Sequence, residues 1–229
     1  MCFTPLVSIS TAIIEFIIAA YLILHFKKSK IAKPIAIFCV LLGIYQLTEF
    51  LLCTTSYQFW AKIGFITTAF LPALALHFTI NYTKNKERIN KRLGLLIYLI
   101  PTFYFLMALA KENFILNTSC GNYFVTMRYI IQTGIYKPLG FIYLFYYISF
   151  VAIACVLFLN HYKKQKNILK KEIDVDVIIA VIISLIPAVV LLFLFPMIAF
   201  AFPSIYCQFA IAFAIAGLIA CHLEKKLKN

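Results

Sequence analysis

Apolar runs about twenty residues long, separated by short clusters of lysine and arginine, recur along the whole chain. A span of the bilayer's hydrocarbon core takes roughly 20 mostly apolar residues in an α-helix. The runs with basic or polar ends fall at about 5–26, 34–54, 59–82, 93–110, 139–160, 173–195 and 204–222. They predict an all-α integral membrane bundle of seven transmembrane helices, and residues 1–229 form one domain with no room for a separate soluble unit. Composition agrees: 64% of the 229 residues are hydrophobic and 13% charged. A water-soluble domain of that make-up would lack the polar surface to cover itself.

The formal charge of +13 raises the question of nucleic acid, because clustered Lys and Arg attract phosphate. Here the charges sit between apolar runs, never as a stripe along a soluble helix, which excludes that partner. Their distribution instead sets orientation. Seventeen of the 21 basic residues lie in the first, third and fifth connections and the C-terminal tail, and only Lys62, Lys111, Arg128 and Lys137 lie on the other face. The positive-inside rule then puts the N-terminus outside and the C-terminus in the cytoplasm of a multi-pass protein of the inner (plasma) membrane. The first run has no basic n-region and no clear cleavage site, so the first helix is expected to stay in the mature protein.

The stretch 111–137 (KENFILNTSCGNYFVTMRYIIQTGIYK) is the one long outer connection. Rich in Tyr and Phe, it either folds over the outer mouth of the bundle or lies as an interfacial loop at headgroup level. The seven cysteines show no C-x-x-C or metal spacing. Cys2, Cys53, Cys120 and Cys207 are placed near the outer face, where one disulfide could form. Tyr57 and Trp60 suit an aromatic belt, and Asp174 with Asp176 suits the positive end of the sixth helix dipole.

Ionisable groups within spans are costly and usually face the bundle interior. Glu15 in the first span and Glu49 in the second stand out, both at mid-depth or in the outer half, where they could share one cavity. Gln46, one turn before Glu49, lies on the same helix face, so Glu49, Gln46 and Glu15 are the candidate ligand-binding residues. The structural alternative is a neutral carboxylic acid that clamps two helices. His77 is the histidine clearly inside a span; His25 and His222 lie at helix ends and His161 in the adjoining connection. A zinc hydrolase would want a general base beside such histidines, but both intramembrane glutamates are on the far side, so no metal and no cofactor is expected. Pro72, Pro101 and Pro187 interrupt the third, fourth and sixth helices and should kink them. No phosphate-binding loop, nucleophile elbow or H-E-x-x-H is present, and no duplicated block suggests transporter repeats.

The stretch LLGIYQLTEFLLCTTSYQFWAKIGFITTAFLPALALHFTINYT resembles the N-terminal seven-transmembrane sensor region of bacterial and archaeal histidine kinases. The matching positions are Glu49 late in the second helix, Phe59 with Trp60 opening the third, Pro72 within it, and Phe78 with Tyr82 and Thr83 at its exit. The fifth helix, opening PLGFIYLFYYISF, and the sixth, with SLIPAVV, are similar to the same family. The resemblance implies a sensor of a small molecule or of membrane state whose seventh helix drives a cytoplasmic output. Only the tail ending EKKLKN follows that helix here, with no kinase, phospho-acceptor or cyclase segment, so the chain is not expected to be an enzyme. Its expected partners are the lipid bilayer, a small-molecule ligand and a separate cytoplasmic signalling protein, with a homodimer as one arrangement. A small transporter or proton-coupled carrier using the same carboxylates, a membrane-embedded metal-dependent hydrolase and a purely structural subunit are the alternatives.

Overall fold

The computed structural model describes residues 5–83, 91–121, 125–179 and 202–228. Its helices are α1 (Pro5–His25), α2 (Ala32–Thr55), α3 (Phe59–Thr83), α4 (Lys91–Ala110), α5 (Lys137–Lys164), α6 (described over 168–179) and α7 (Phe202–Lys228). Five of them, α1 to α5, are long and apolar enough to cross a membrane. The chain is a helical, multi-pass membrane bundle. Pro187 lies outside the described residues.

The central pair is α2 and α3, whose most apolar windows are 61% and 67% buried, against 22% for α4 and for the α5 stretch. The sequence of α1 shows why it flanks them. Ser8, Ala12, Glu15, Ala19, Leu22 and Phe26 are buried and follow one another at alternating steps of four and three residues, the repeat that keeps one seam facing a partner helix. Ile13, Ile17 and Leu24 on its other side are exposed, as lipid-facing residues are. Small side chains let α1 approach α2 closely, and the Phe16 ring lies 3.0 Å from where a Cβ on Gly43 would stand. The α4 and α5 helices also turn Leu95, Leu99, Phe141 and Phe145 outward.

Between α4 and α5 the chain leaves the helical pattern. A short 3₁₀ turn at Glu112–Phe114 leads into an antiparallel hairpin, β1 (Ile115–Cys120) with β2 (Val125–Tyr129), followed by two more 3₁₀ turns at Ile130–Gln132 and Gly134–Tyr136. Phe114, Ile115, Val125, Met127, Tyr129 and Ile131 turn inward onto Leu52, Phe65, Tyr104 and Ala108 of α2, α3 and α4. Of the two readings of this connection, folding over the mouth of the bundle is the one observed. A disulfide between Cys53 and Cys120 fastens the hairpin to the last turn of α2. That helix stops at Ser56, whose left-handed backbone (φ 56°) turns its N–H back to the Leu52 carbonyl.

Pro72 and Pro101 lie inside α3 and α4. Near the first, the Tyr146 hydroxyl of α5 donates to the Ala69 carbonyl at 2.8 Å, giving a second partner to a backbone oxygen where the proline ring disturbs the ladder. At the opposite, lysine-rich end, Ser29 in the α1–α2 turn accepts the N–H groups of Ile31 and Ala32 at the start of α2. The same hydroxyl donates to Glu224 of α7, which also accepts the Lys30 N–H.

Candidate ligand site

Glu49 is fully buried late in α2 and accepts a 2.5 Å hydrogen bond from the Tyr45 hydroxyl one turn earlier. Tyr45 and Gln46 are buried as well. The local packing fixes this group. Thr48 bonds back to the Tyr45 carbonyl, and Gly64 of α3 lies so close that a Cβ there would meet the Thr48 hydroxyl at 2.9 Å and the Tyr45 ring at 3.5 Å. Only a glycine lets α3 approach α2 at that level.

The hairpin closes the group from above. Tyr129 of β2 packs on Phe65 and Phe114 and lies within electrostatic reach of Glu49. Burial, and then that carboxylate, push the Tyr129 phenol well above its ordinary range, so the phenol stays protonated. Phe65, Tyr104 and Tyr143 extend the aromatic wall, and Tyr104 donates to the Leu139 carbonyl at 2.6 Å. One turn beyond Glu49, the Cys53 disulfide makes this cover covalent.

Glu15 is placed elsewhere. It is fully buried in the α1 seam, neither carboxyl oxygen has a hydrogen-bond partner, and it lies within electrostatic reach of the Cys39 thiol of α2. Phe16, the next residue, packs against Gly43 of α2, which lies about 9 Å of helix rise before Glu49. Gln46 lies between the two levels. Tyr45, Gln46 and Glu49 follow one another within about a turn of α2, and Glu15 is buried on α1 beside it.

Two features of the lysine-rich end differ from the sequence reading. α6 begins by residue 168, so Asp174 lies in its second turn rather than at its dipole, fully buried. α5 runs to Lys164, so His161 belongs to that helix and not to the connection. The two meet at 2.8 Å, with the His161 Nδ1–H donating to Asp174 and the Gln165 amide donating to Nε2. Tyr82 also donates to Asp174. His77 pairs with the Tyr98 hydroxyl of α4 at 3.0 Å. No group of three metal-ligating side chains occurs among the described residues.

Helices that bury acids and amides inside while turning leucine and phenylalanine outward define a multi-pass membrane protein with a polar interior under a folded cap. The chain belongs to the family described as the N-terminal 7TM region of histidine kinase, which it matches over residues 7–223. It is a membrane sensor module of that kind. No curated protein and no solved structure matches it.

Proposed function

We propose that the chain is a seven-span sensor of the plasma membrane, N-terminus outside, which takes a small ligand at Glu49, Tyr45 and Gln46 and signals to a separate cytoplasmic protein. The observation that carries the reading is the buried Glu49–Tyr45 pair under a disulfide-pinned hairpin. A carboxylate beside a phenol and an amide offers both acceptors and donors to a cationic or hydrogen-bonding molecule, and buried polar groups without a packing purpose mark function in membrane bundles. The disulfide supports an outward-facing hairpin end, because such bonds persist in oxidising compartments, and the lysine distribution favours the same orientation. Pro72 and Pro101 let α3 and α4 bend beside the site, and α7, latched through Glu224 to the start of α2, carries the change to the other face. A ligand shifts this equilibrium only by its difference in affinity for the two states.

Thermal stability of the purified chain in nanodiscs, screened against cationic and hydrogen-bonding small molecules, tests the site. A stabilising compound should lose at least tenfold in affinity in Glu49→Gln and in Tyr45→Phe. Binding untouched by both substitutions would remove Glu49 from the site, and substrate or proton flux in proteoliposomes would favour the carrier. Reporter fusions at residue 229 and within 111–137 should read cytoplasmic and external.

A further inference from the structure

At the lysine-rich end, away from Glu49, a cavity of about 620 Å³ opens among the ends of α2 to α7. Three lysines reach it from different elements: Lys30 from the α1–α2 turn, Lys33 from the first turn of α2 and Lys170 from α6. Acids do lie beside it, but they are committed. Asp174 is held by His161 and Tyr82, with the Lys170 charge close enough to act on it as well, and Glu224 accepts from Ser29 and the Lys30 N–H. Among the described residues, none of the three lysines has a carboxylate oxygen within 4.0 Å of its ammonium group.

Phe78 forms part of this wall and also part of a second cavity, of about 110 Å³, between α2, α3, α5, α6 and α7. That second space is lined almost wholly by apolar groups such as Leu42, Leu71, Val151 and Ala154. A cationic chamber joined at one phenylalanine to an apolar slot fits a molecule with an anionic head and a hydrocarbon chain. Ammonium groups on flexible stems act as point-charge phosphate binders, and basic pockets between membrane helices take lipid head groups.

We infer that this pair of cavities binds a phospholipid with an exposed phosphate head: the phosphate lies among Lys30, Lys33 and Lys170, and one acyl chain passes Phe78 into the apolar slot. The site stands independently of the ligand reading at Glu49. A lipid that wedges α6 and α3 apart beside the latched end of α7 would set the resting state of the sensor by membrane composition.

Binding to the full chain in uncharged detergent, followed by native mass spectrometry, decides the matter. Dioleoyl phosphatidic acid should bind at least tenfold tighter than dioleoyl phosphatidylcholine and at least tenfold tighter than glycerol 3-phosphate, which has the head and no chain. Lys33→Ala with Lys170→Ala should weaken phosphatidic acid at least tenfold. Lys163→Ala with Lys164→Ala, the same change of charge outside the cavity, should alter it less than twofold. Equal losses in the two double variants would reduce the effect to diffuse attraction at a basic surface and overturn the site. Equal binding of glycerol 3-phosphate and phosphatidic acid would overturn the lipid in favour of a soluble phosphorylated compound.

Discussion

Breaking the Cys53–Cys120 bond separates covalent from packing contributions to the hairpin cap. The cross-link joins positions 67 residues apart, and closing a loop of that size removes about 4 kcal/mol of unfolded-state entropy. A membrane reference state keeps α3 and α4 helical, leaving roughly 20 freely jointed residues in the loop, for which the same relation gives about 3 kcal/mol. The loss on reduction should therefore be about 3–4 kcal/mol, or a drop of roughly 6–16 °C in Tm for a chain of this size. The hairpin should nevertheless stay docked, because Phe114, Ile115, Val125, Met127, Tyr129 and Ile131 are buried, and each such side chain contributes about 1.5–3 kcal/mol. Thermal unfolding in detergent with and without reductant, beside Cys53→Ser, Cys120→Ser and the double variant, measures this. All four reduced or substituted forms should agree in Tm, with hydrogen exchange faster in residues 115–129 yet still protected. Wild-type protein whose gel mobility and Tm ignore reductant would refute the cross-link, and loss of all protection in the hairpin would refute the packing.

Gly140→Ala should cost about 1–3 kcal/mol by overpacking, since its Cβ would stand 2.4 Å from the Ile131 carbonyl oxygen; thermal unfolding should show the drop. Glu15→Leu should raise stability by about 1–3 kcal/mol, because it removes a fully buried carboxyl without a hydrogen-bond partner, and a fall in Tm would contradict that placement. Ser56→Gly should add up to about 1 kcal/mol, since glycine takes the φ of 56° without a side-chain clash. Chemical denaturation of the two chains side by side would register the gain.

Membrane class and helical content were legible because hydropathy acts over twenty residues at a time and averages out local exceptions. The hairpin was not. β2 buries Val125, Met127 and Tyr129 against a helical platform rather than a second sheet, while β1 buries Ile115 alone, and its Asn117, Thr118 and Ser119 make that strand too polar to stand out. Glu49 announced itself by rarity, as did Glu15. How their levels relate depends on the packing of α1 against α2, which no composition window records. Asp174 and His161 were misread for a related reason. Hydropathy marks where a helix enters lipid, whereas α5 and α6 continue as helix through Lys163 and Lys170 into the polar zone, and the pairing occurs in that extension. Tyr45 was missed as a partner because a tyrosine in an apolar run looks like any other aromatic until its hydroxyl is followed to Glu49.

The Ser29 hydroxyl serves two helices at once: it accepts from the first backbone amides of α2 and donates to Glu224 of α7. A piston stroke of α7 by a single residue, about 1.5 Å, would lengthen both bonds that Glu224 accepts from the α1–α2 turn. The exit of the last helix therefore has a clutch rather than a free shaft. Its azimuth is tied to the start of α2 for as long as Glu224 holds the Ser29 hydroxyl and the Lys30 N–H.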